Sequence, residues 1–307
     1  MTEQTFTAEY VSPGHPDKIC DRISDRILQA FCDQDPYSRV AVEVMGGHGH
    51  IYVLGEVTSR GKLSDKDIRN IIIEIIGSDN YDIAINLVQQ SPEIAHGVDE
   101  GGAGDQGIVV GYACNHNEDM VPQEYYLARS LCEYLYALYP YDGKTQITIN
   151  NKHEITVIVA SFQHSKTEEL QNHVNDWLTK NSFSISDTVE CLLNPAGEWS
   201  VGGFDADTGL TGRKIVVDSY GPRVPVGGGA FSGKDWTKVD RSGAMYARHI
   251  AQTLLKQQGA REVRVELAYA IGVSDAVQSI AYVDGTPYTL DDFDTSMTGI
   301  QNYITSL

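Results

Sequence analysis

Binding a polyphosphate takes cations, backbone N–H groups unobstructed by side chains, and hard oxygen ligands for a metal, all close together. The run Gly227-Gly228-Gly229-Ala230-Phe231-Ser232-Gly233-Lys234-Asp235, continuing through Lys238 to Asp240 and Arg241, contains all three. Its glycines expose N–H groups that can line an anion. Lys234 and Lys238 supply charge, and Asp240 supplies an oxygen suited to Mg²⁺. Residues 213–248 hold seven Lys and Arg against three Asp, net +4 in a chain of net charge −19. Composition alone suits a solvated loop equally well, but packing needs no such density of glycine and lysine in one motif.

Three further motifs are weaker singly. Ser12-Pro13-Gly14-His15-Pro16-Asp17-Lys18 precedes a helix whose acidic face carries Asp21 and Asp25. His15 and Asp17 at a helix N-terminus suit a phosphate and its metal. Taken alone, a His near a helix start is more often a cap or a surface residue, and Asp17 and Asp21 are more often solvated. Gly102-Ala103-Gly104-Asp105-Gln106-Gly107, entering a strand, reads either as a close-approach loop or as an ordinary glycine turn. Gly209-Leu210-Thr211-Gly212-Arg213-Lys214 follows Gly202-Gly203 and Asp207; it lacks Walker spacing, which excludes a P-loop fold.

The charge of −19 argues against a general nucleic-acid or anionic-membrane binder. The five cysteines form no C-x-x-C pair and are odd in number, so free thiols are expected rather than a disulfide framework or zinc site. The polar start and the absence of a long apolar run predict a cytoplasmic protein without a membrane span.

The elements that must hold these motifs come in rounds. Residues 15–33 read as a helix through Ile19, Ile23, Ile27 and Phe31. Strands follow near 40–44 and 50–58. Ser64 and Asp67 can cap a second helix with a stripe of Ile68, Ile71, Ile72, Ile75 and Ile76, and a strand near 83–88 ends the round. The second round has a helix over 123–138, a hairpin joining 145–150 to 153–162 across Asn150-Asn151, a helix near 168–178 and a strand near 188–193. The third has a helix over 241–257, strands near 263–268 and 277–283, and a last helix from Leu290. The expectation is an α+β protein of three similar sheet-plus-helix domains: 1–92, 107–200 and 201–307, with an active-site loop at 93–106.

Taken together the motifs are specific. GHPDK, GAGDQG, DGKTQ, GGFDADTGLTGRK, GGGAFSGKD with KVDRS, and YAIGV, in this order, closely resemble the methionine adenosyltransferase (S-adenosylmethionine synthetase) family. The resemblance runs from the first residues to about Val273 and more faintly beyond. It implies three α+β domains in pseudo-threefold arrangement, and synthesis of S-adenosylmethionine from ATP and L-methionine with hydrolysis of the tripolyphosphate to pyrophosphate and phosphate. It implies Mg²⁺ on Asp17 and Asp240 and K⁺ near Glu43. The catalytic set carried over is His15, Asp105, Lys144, Arg213, Lys214, Lys234 and Lys238. His15 donates to the leaving oxygen, Asp105 sits beside the sulfur, the lysines and Arg213 grip phosphate, and Arg213 serves the hydrolytic step. Asp142, Trp199, Asp207, Ala230 and Ile271 join the ATP contacts; Glu56, Gln90, Asp207 and Lys238 contact methionine. Glu43 and Glu56 also read as ordinary outward carboxylates of alternating strands. A homodimer or dimer of dimers with sites at the interface is implied as well. The alternatives are a tripolyphosphatase and a non-catalytic regulatory subunit of a longer homologue.

Three departures from the family pattern stand out. Trp199 replaces the usual Phe against adenine, the segment between Gln90 and Asp105 is several residues short, and the chain is expected to be truncated at its C-terminus.

Overall fold

The computed structural model describes residues 4–90 and 101–307. Strand β1 is Thr5–Val11. The first unit follows: α1 Pro16–Cys32, β2 Arg39–Gly47, β3 His50–Thr58, α2 Asp65–Ile76 and β4 Asp82–Val88. His15 caps α1, Pro16 opens it, and Cys20, Ile23, Ile27 and Phe31 form its buried stripe. A reciprocal capping box of Ser64 and Asp67 starts α2, and Gly77 in the left-handed region ends it. The second unit opens with β5 Gly107–Cys114 and continues with α3 Gln123–Leu138, β6 Gly143–Asn150, β7 Ile155–Phe162, α4 Thr167–Asn181 and β8 Ile185–Leu193. The third comprises β9 Gly209–Leu210, α5 Ile215–Asp218, α6 Val239–Gln258, β10 Glu262–Tyr269, β11 Gln278–Val283, β12 Thr286–Tyr288 and α7 Met297–Thr305.

The sheets run β4-β3-β2-β9, β1-β6-β7-β8 and β12-β11-β10-β5. The strand that leads each unit therefore leaves it. β1 pairs antiparallel with β6 of the second unit, β5 with β10 of the third, and β9 with β2 of the first. The exchange closes on itself and joins the three units in a ring. Each sheet thus includes one strand from another unit of the chain. A lone leading strand has unpaired N–H and C=O groups, and the neighbouring sheet edge satisfies them.

Two local corrections follow from turn chemistry. The hairpin expected across Asn150-Asn151 is longer, and β7 starts at Ile155. Asn150 Oδ1 accepts from the N–H groups of Lys152 (2.9 Å) and Glu154 (3.0 Å), and His153 takes φ +63°. The last helix begins at Met297 rather than at Leu290, where Ser296 accepts from the Gly299 N–H as its cap. The third unit also departs from the other two. β12 is antiparallel to β11, whereas β4 and β8 run parallel to their neighbours after a helical crossover.

Each sheet is covered by helices on one face, giving three cores, around Ile23 and Val42, around Leu131 and Ile147, and around Ile250 and Val265. On the other face of β2 and β3, Met45, Tyr52 and Leu54 are exposed. All five cysteines are free, and no helix of the described residues is long and apolar enough to cross a membrane.

The exchange requires close approach where α6 lies on β5. A Cβ on Gly111 stands 2.0 Å from the carbonyl carbon of Ala247. Gly111→Ala is expected to destabilise the fold by about 1–3 kcal/mol through overpacking, read as a lower denaturant midpoint. An unchanged midpoint contradicts the tight α6–β5 contact.

Candidate active site

The turn between β1 and α1 is fixed by the second sheet. Ser12 N–H donates to Gly143 O and its Oγ to Tyr141 O, both at 2.8 Å. Gly14 lies flat on this backbone, where a Cβ reaches 2.4 Å from the Tyr141 carbonyl carbon. The turn thereby sets His15 within reach of the charges of Lys214, Lys144, Asp17 and Asp207, two of which, Lys144 and Asp207, also act on Asp142. Asp142 anchors the next loop by accepting from the Gly203 N–H at 3.0 Å. Trp199 packs over Gly202 at the edge of the same loop.

His15 is 4% exposed, and its Nδ1 accepts from the Asp17 N–H at 3.1 Å. An Nδ1 that accepts leaves the proton on Nε2, so the neutral ring has one N–H to donate. Burial first, then the positive charges of Lys214 and Lys144, push its pKa down to about 4. The imidazole is therefore neutral at pH 7.

Asp17 is fully buried. It accepts from the Leu210 N–H (3.0 Å) and from Lys214 Nζ (2.5 Å), with Arg213 Nε at 3.4 Å. Burial alone pushes the carboxyl up, but these three donors outweigh it and hold Asp17 below the usual carboxylate range. The solvated reading of Asp17 and Asp21 gives way here, since Asp21 is only 2% exposed.

Asp17, Asp21 and Asp25 form a ladder along α1, four residues apart. They accept from the backbone N–H groups of Leu210, Gly212 and Gly233 at 3.0, 2.9 and 3.0 Å. One helix face thus holds both glycine-rich loops. Lys18 bridges Asp21 (2.8 Å) and Asp218 (2.5 Å). Arg241 joins Asp25 (2.9 Å) to the carbonyl of Lys234 (3.2 Å). Sequence reasoning placed Asp21 and Asp25 on an acidic face but gave them no task. Their spacing was the available signal.

The remaining expected residues gather elsewhere. Glu56, Gln90, Asp105, Lys234, Lys238, Asp240 and Ile271 line one cavity of about 530 Å³. Glu56 stands on β3 and Gln90 just after β4. Lys238 and Asp240 stand at the start of α6, and Lys234 on a loop bridged to Ala41 of β2. Asp105 and Ile271 are brought in by a backbone joint. Gly102 lies against Gly272, Ala103 N–H donates to Val273 O (3.0 Å), and Gly272 N–H donates to Ala103 O (2.8 Å). The GAGDQG and YAIGV motifs are thus two sides of one structure, and this part of the loop is no ordinary turn. Gln90 Oε1 is buried without a hydrogen-bond partner. The other part of the expected active-site loop, residues 91–100, lies outside the described residues.

Lys234 Nζ meets Asp240 Oδ2 at 2.7 Å. Gly229 lies on the Asp240 carboxyl, where an added Cβ comes within 2.2 Å, and Gly107 lies near it on another side. The Asp240 carboxylate is thus packed directly on glycine backbone, and its oxygens are the donors Mg²⁺ prefers. Ala230 touches Gly212 and so sits between the two loops. Glu43 faces an adjoining cavity of about 440 Å³ on the exposed side of β2 and β3, with Met45, Tyr52, Leu54 and the shared Glu56.

The structure therefore sorts the expected site into two sets. His15, Asp17, Lys144, Arg213 and Lys214 do not line the cavity of Asp105 and Asp240. Asp17 pairs with Lys214 and Arg213, whereas Asp240 pairs with Lys234. Among the described residues, no group of three or more His, Cys, Asp or Glu within the chain gathers as a metal site.

The S-adenosylmethionine synthetase N-terminal, central and C-terminal domain families match residues 3–100, 100–199 and 201–301. The S-adenosylmethionine synthase of Prochlorococcus marinus (strain AS9601) is 40% identical over 90% of this chain and 79% of its own length. That of Prochlorococcus marinus (strain MIT 9301) is 39% identical over all of this chain and 84% of its own. The solved structure of an unusual S-adenosylmethionine synthetase from Campylobacter jejuni superposes with a TM-score of 0.86 at 32% identity, covering 97% of this chain and 88% of that one. All three domains and the whole fold agree, and the chain belongs to the S-adenosylmethionine synthetase family, the methionine adenosyltransferases.

Proposed function

We propose that this chain joins ATP and L-methionine into S-adenosyl-L-methionine and hydrolyses the tripolyphosphate to pyrophosphate and phosphate in the same site. The observation that carries this is the neutral, buried His15 among Lys144, Lys214 and Asp17, with its proton left on Nε2. The thioether sulfur of methionine is a neutral nucleophile, so no general base is needed. Its lone pair attacks the 5′ carbon of ATP, the C5′–O bond breaks, and the electron pair leaves on a tripolyphosphate oxygen. Charge grows on that oxygen, and His15 Nε2–H donates to it without first having to lose a proton.

Lys144, Arg213, Lys214, Lys234 and Lys238 hold the phosphates, and Arg213 serves the hydrolytic step. Asp17 and Asp240 would hold Mg²⁺, which offsets charge on the leaving group when bound. Glu43 would hold K⁺. Glu56, Gln90, Asp207 and Lys238 orient methionine, and the unpartnered Gln90 oxygen suits its ammonium group. Asp105 faces the developing sulfonium, and Asp142, Trp199, Asp207, Ala230 and Ile271 bind the nucleoside end. The ligands are held in the cytoplasm, where ATP and methionine occur.

The separation of the two residue sets supports a site completed by a second copy of the chain, and the exposed Met45, Tyr52 and Leu54 supply an apolar face for it. A homodimer, or a dimer of dimers, places the His15 set of one protomer against the Asp240 set of its partner.

Three measurements test these readings. Chromatography of a reaction with ATP, methionine, Mg²⁺ and K⁺ is expected to show S-adenosylmethionine, pyrophosphate and phosphate; phosphate alone, without a sulfonium product, points to a tripolyphosphatase. Lys234→Ala and Asp240→Asn are each expected to cost about a hundredfold in kcat with native circular dichroism. Near-normal turnover in either removes the glycine-rich motif from the site. Mixing His15→Ala with Lys234→Ala chains, each inactive alone, is expected to restore about a quarter of native activity, since half of the re-formed dimers carry one intact site of two. No recovery after subunit exchange is verified places both sets in one protomer's site.

A further inference from the structure

Between α3, α6 and residues 218–231 lies another cavity, of about 340 Å³, that shares no lining residue with the Asp240 cavity. Arg129, Arg241 and Arg248 line it together with Tyr125, Tyr220 and Phe231. Arg129 stands 5.7 Å from the Tyr125 ring centre, and Arg248 5.4 Å from that of Tyr220.

The charges there are unevenly neutralised. Arg129 pairs with Asp119 and, at 3.9 Å, with Glu133; Arg241 pairs with Asp25 at 2.9 Å. Those three carboxylates are 44%, 64% and 42% exposed, so water screens them. Asp218, the lining carboxylate, is already occupied by Lys18 at 2.5 Å.

Arg248 differs from both. Its Nη atoms donate to backbone carbonyls, to Tyr112 O, to Met120 O at 3.0 Å and to Asp119 O at 2.6 Å. Among the described residues no carboxylate forms an ion pair with it, and its Nε–H takes no protein acceptor. An arginine keeps its proton in proteins. A half-buried guanidinium without a counter-ion is costly, and an anion from solution relieves that cost. Burial accordingly pulls Arg248 below the ordinary arginine pKa. Asp119 links this group to Arg129, since its carboxylate takes one guanidinium and its carbonyl the other.

We infer that this cavity is an oxyanion site, separate from the proposed active site, that takes a small phosphate monoester. The phosphate accepts from the free Nε–H of Arg248 and from the Arg129 guanidinium, whose carboxylate partners are screened, and the apolar body lies against Phe231 and the tyrosine rings. A surface of net charge −19 repels phosphate in general, so binding here has to be local.

Calorimetric titration of the full chain with inorganic phosphate and with phenyl phosphate tests it, on a Lys234→Ala background that weakens the proposed active-site hold on phosphate. Phenyl phosphate is expected to bind once per chain, about tenfold tighter than inorganic phosphate because its ring is buried. Adding Arg129→Gln is expected to weaken it about tenfold or more, and Arg129→Gln alone to leave S-adenosylmethionine formation unchanged. Arg248→Lys is expected to act alike; where it does not fold, Arg129→Gln decides. Binding that vanishes with Lys234→Ala, or that ignores Arg129→Gln, overturns the site. Equal affinity for the two probes overturns the assignment of a monoester.

Discussion

Three carboxylates on one helix hold two glycine-rich loops of this protein in place. Asp17, Asp21 and Asp25 of α1 each accept from a backbone N–H, of Leu210, Gly212 and Gly233 in turn. The donors belong to loops rich in glycine, which have much backbone freedom to lose on ordering. A charge-assisted hydrogen bond is roughly twice as strong as a neutral one, so the ladder opposes that entropy at three points, two of them on buried carboxylates. Arg213, Lys214 and Lys234 stand on these loops, which are held as well by backbone pairing to β2. Because the loops carry the cations and the helix the anions, the assembly also answers how a chain of net charge −19 holds a cationic site together.

The ring of exchanged strands serves the same end at larger scale. β9 is only two residues long, yet it pairs with Met45 and Gly46 of β2 and so places the Asp17-binding loop against the first unit. β1 leads directly into the His15 turn, and its pairing with β6 sets that turn on residues 141–143 of the second unit. β5 follows the Asp105 loop and pairs with β10, whose end leads into Ile271. Each exchange thus delivers a motif from one unit onto a neighbour, and a fold of three independent domains does not do this.

These relations explain what was legible in the sequence. The helices were, because Ile23, Ile27 and Phe31 or Ile68, Ile71 and Ile72 repeat with the period of a helix face. The motif residues were, because glycine, lysine and aspartate at that density have few packing roles. The partners of β1, β5 and β9 were not, because a strand of ordinary composition does not record which sheet edge completes it. The tasks of Asp21 and Asp25 were hidden for a related reason: their partners are backbone N–H groups, which every residue but proline carries. Trp199, Asp142 and Asp207 were reachable through family resemblance alone, since nothing in their local spacing marks them. The late start of α7 lay in turn residues around Asp294 and Ser296 that a pattern of apolar residues passes over.

The position of Asp25 has a consequence for how the two residue sets relate. Asp17 lies in the His15 set, and Asp25, eight residues on, is about 12 Å further along the same helix. Asp25 holds Gly233 and, through Arg241, the carbonyl of Lys234, so it belongs with the Asp240 set. One rigid helix therefore spans both sets of its own chain. The loop of Lys214 and the loop of Lys234 are therefore positioned by the same rigid element. Packed helices move as units, since their interiors are dense and little compressible. The ladder that orders each loop thus also fixes the spacing between the His15 set and the Asp240 set within one chain.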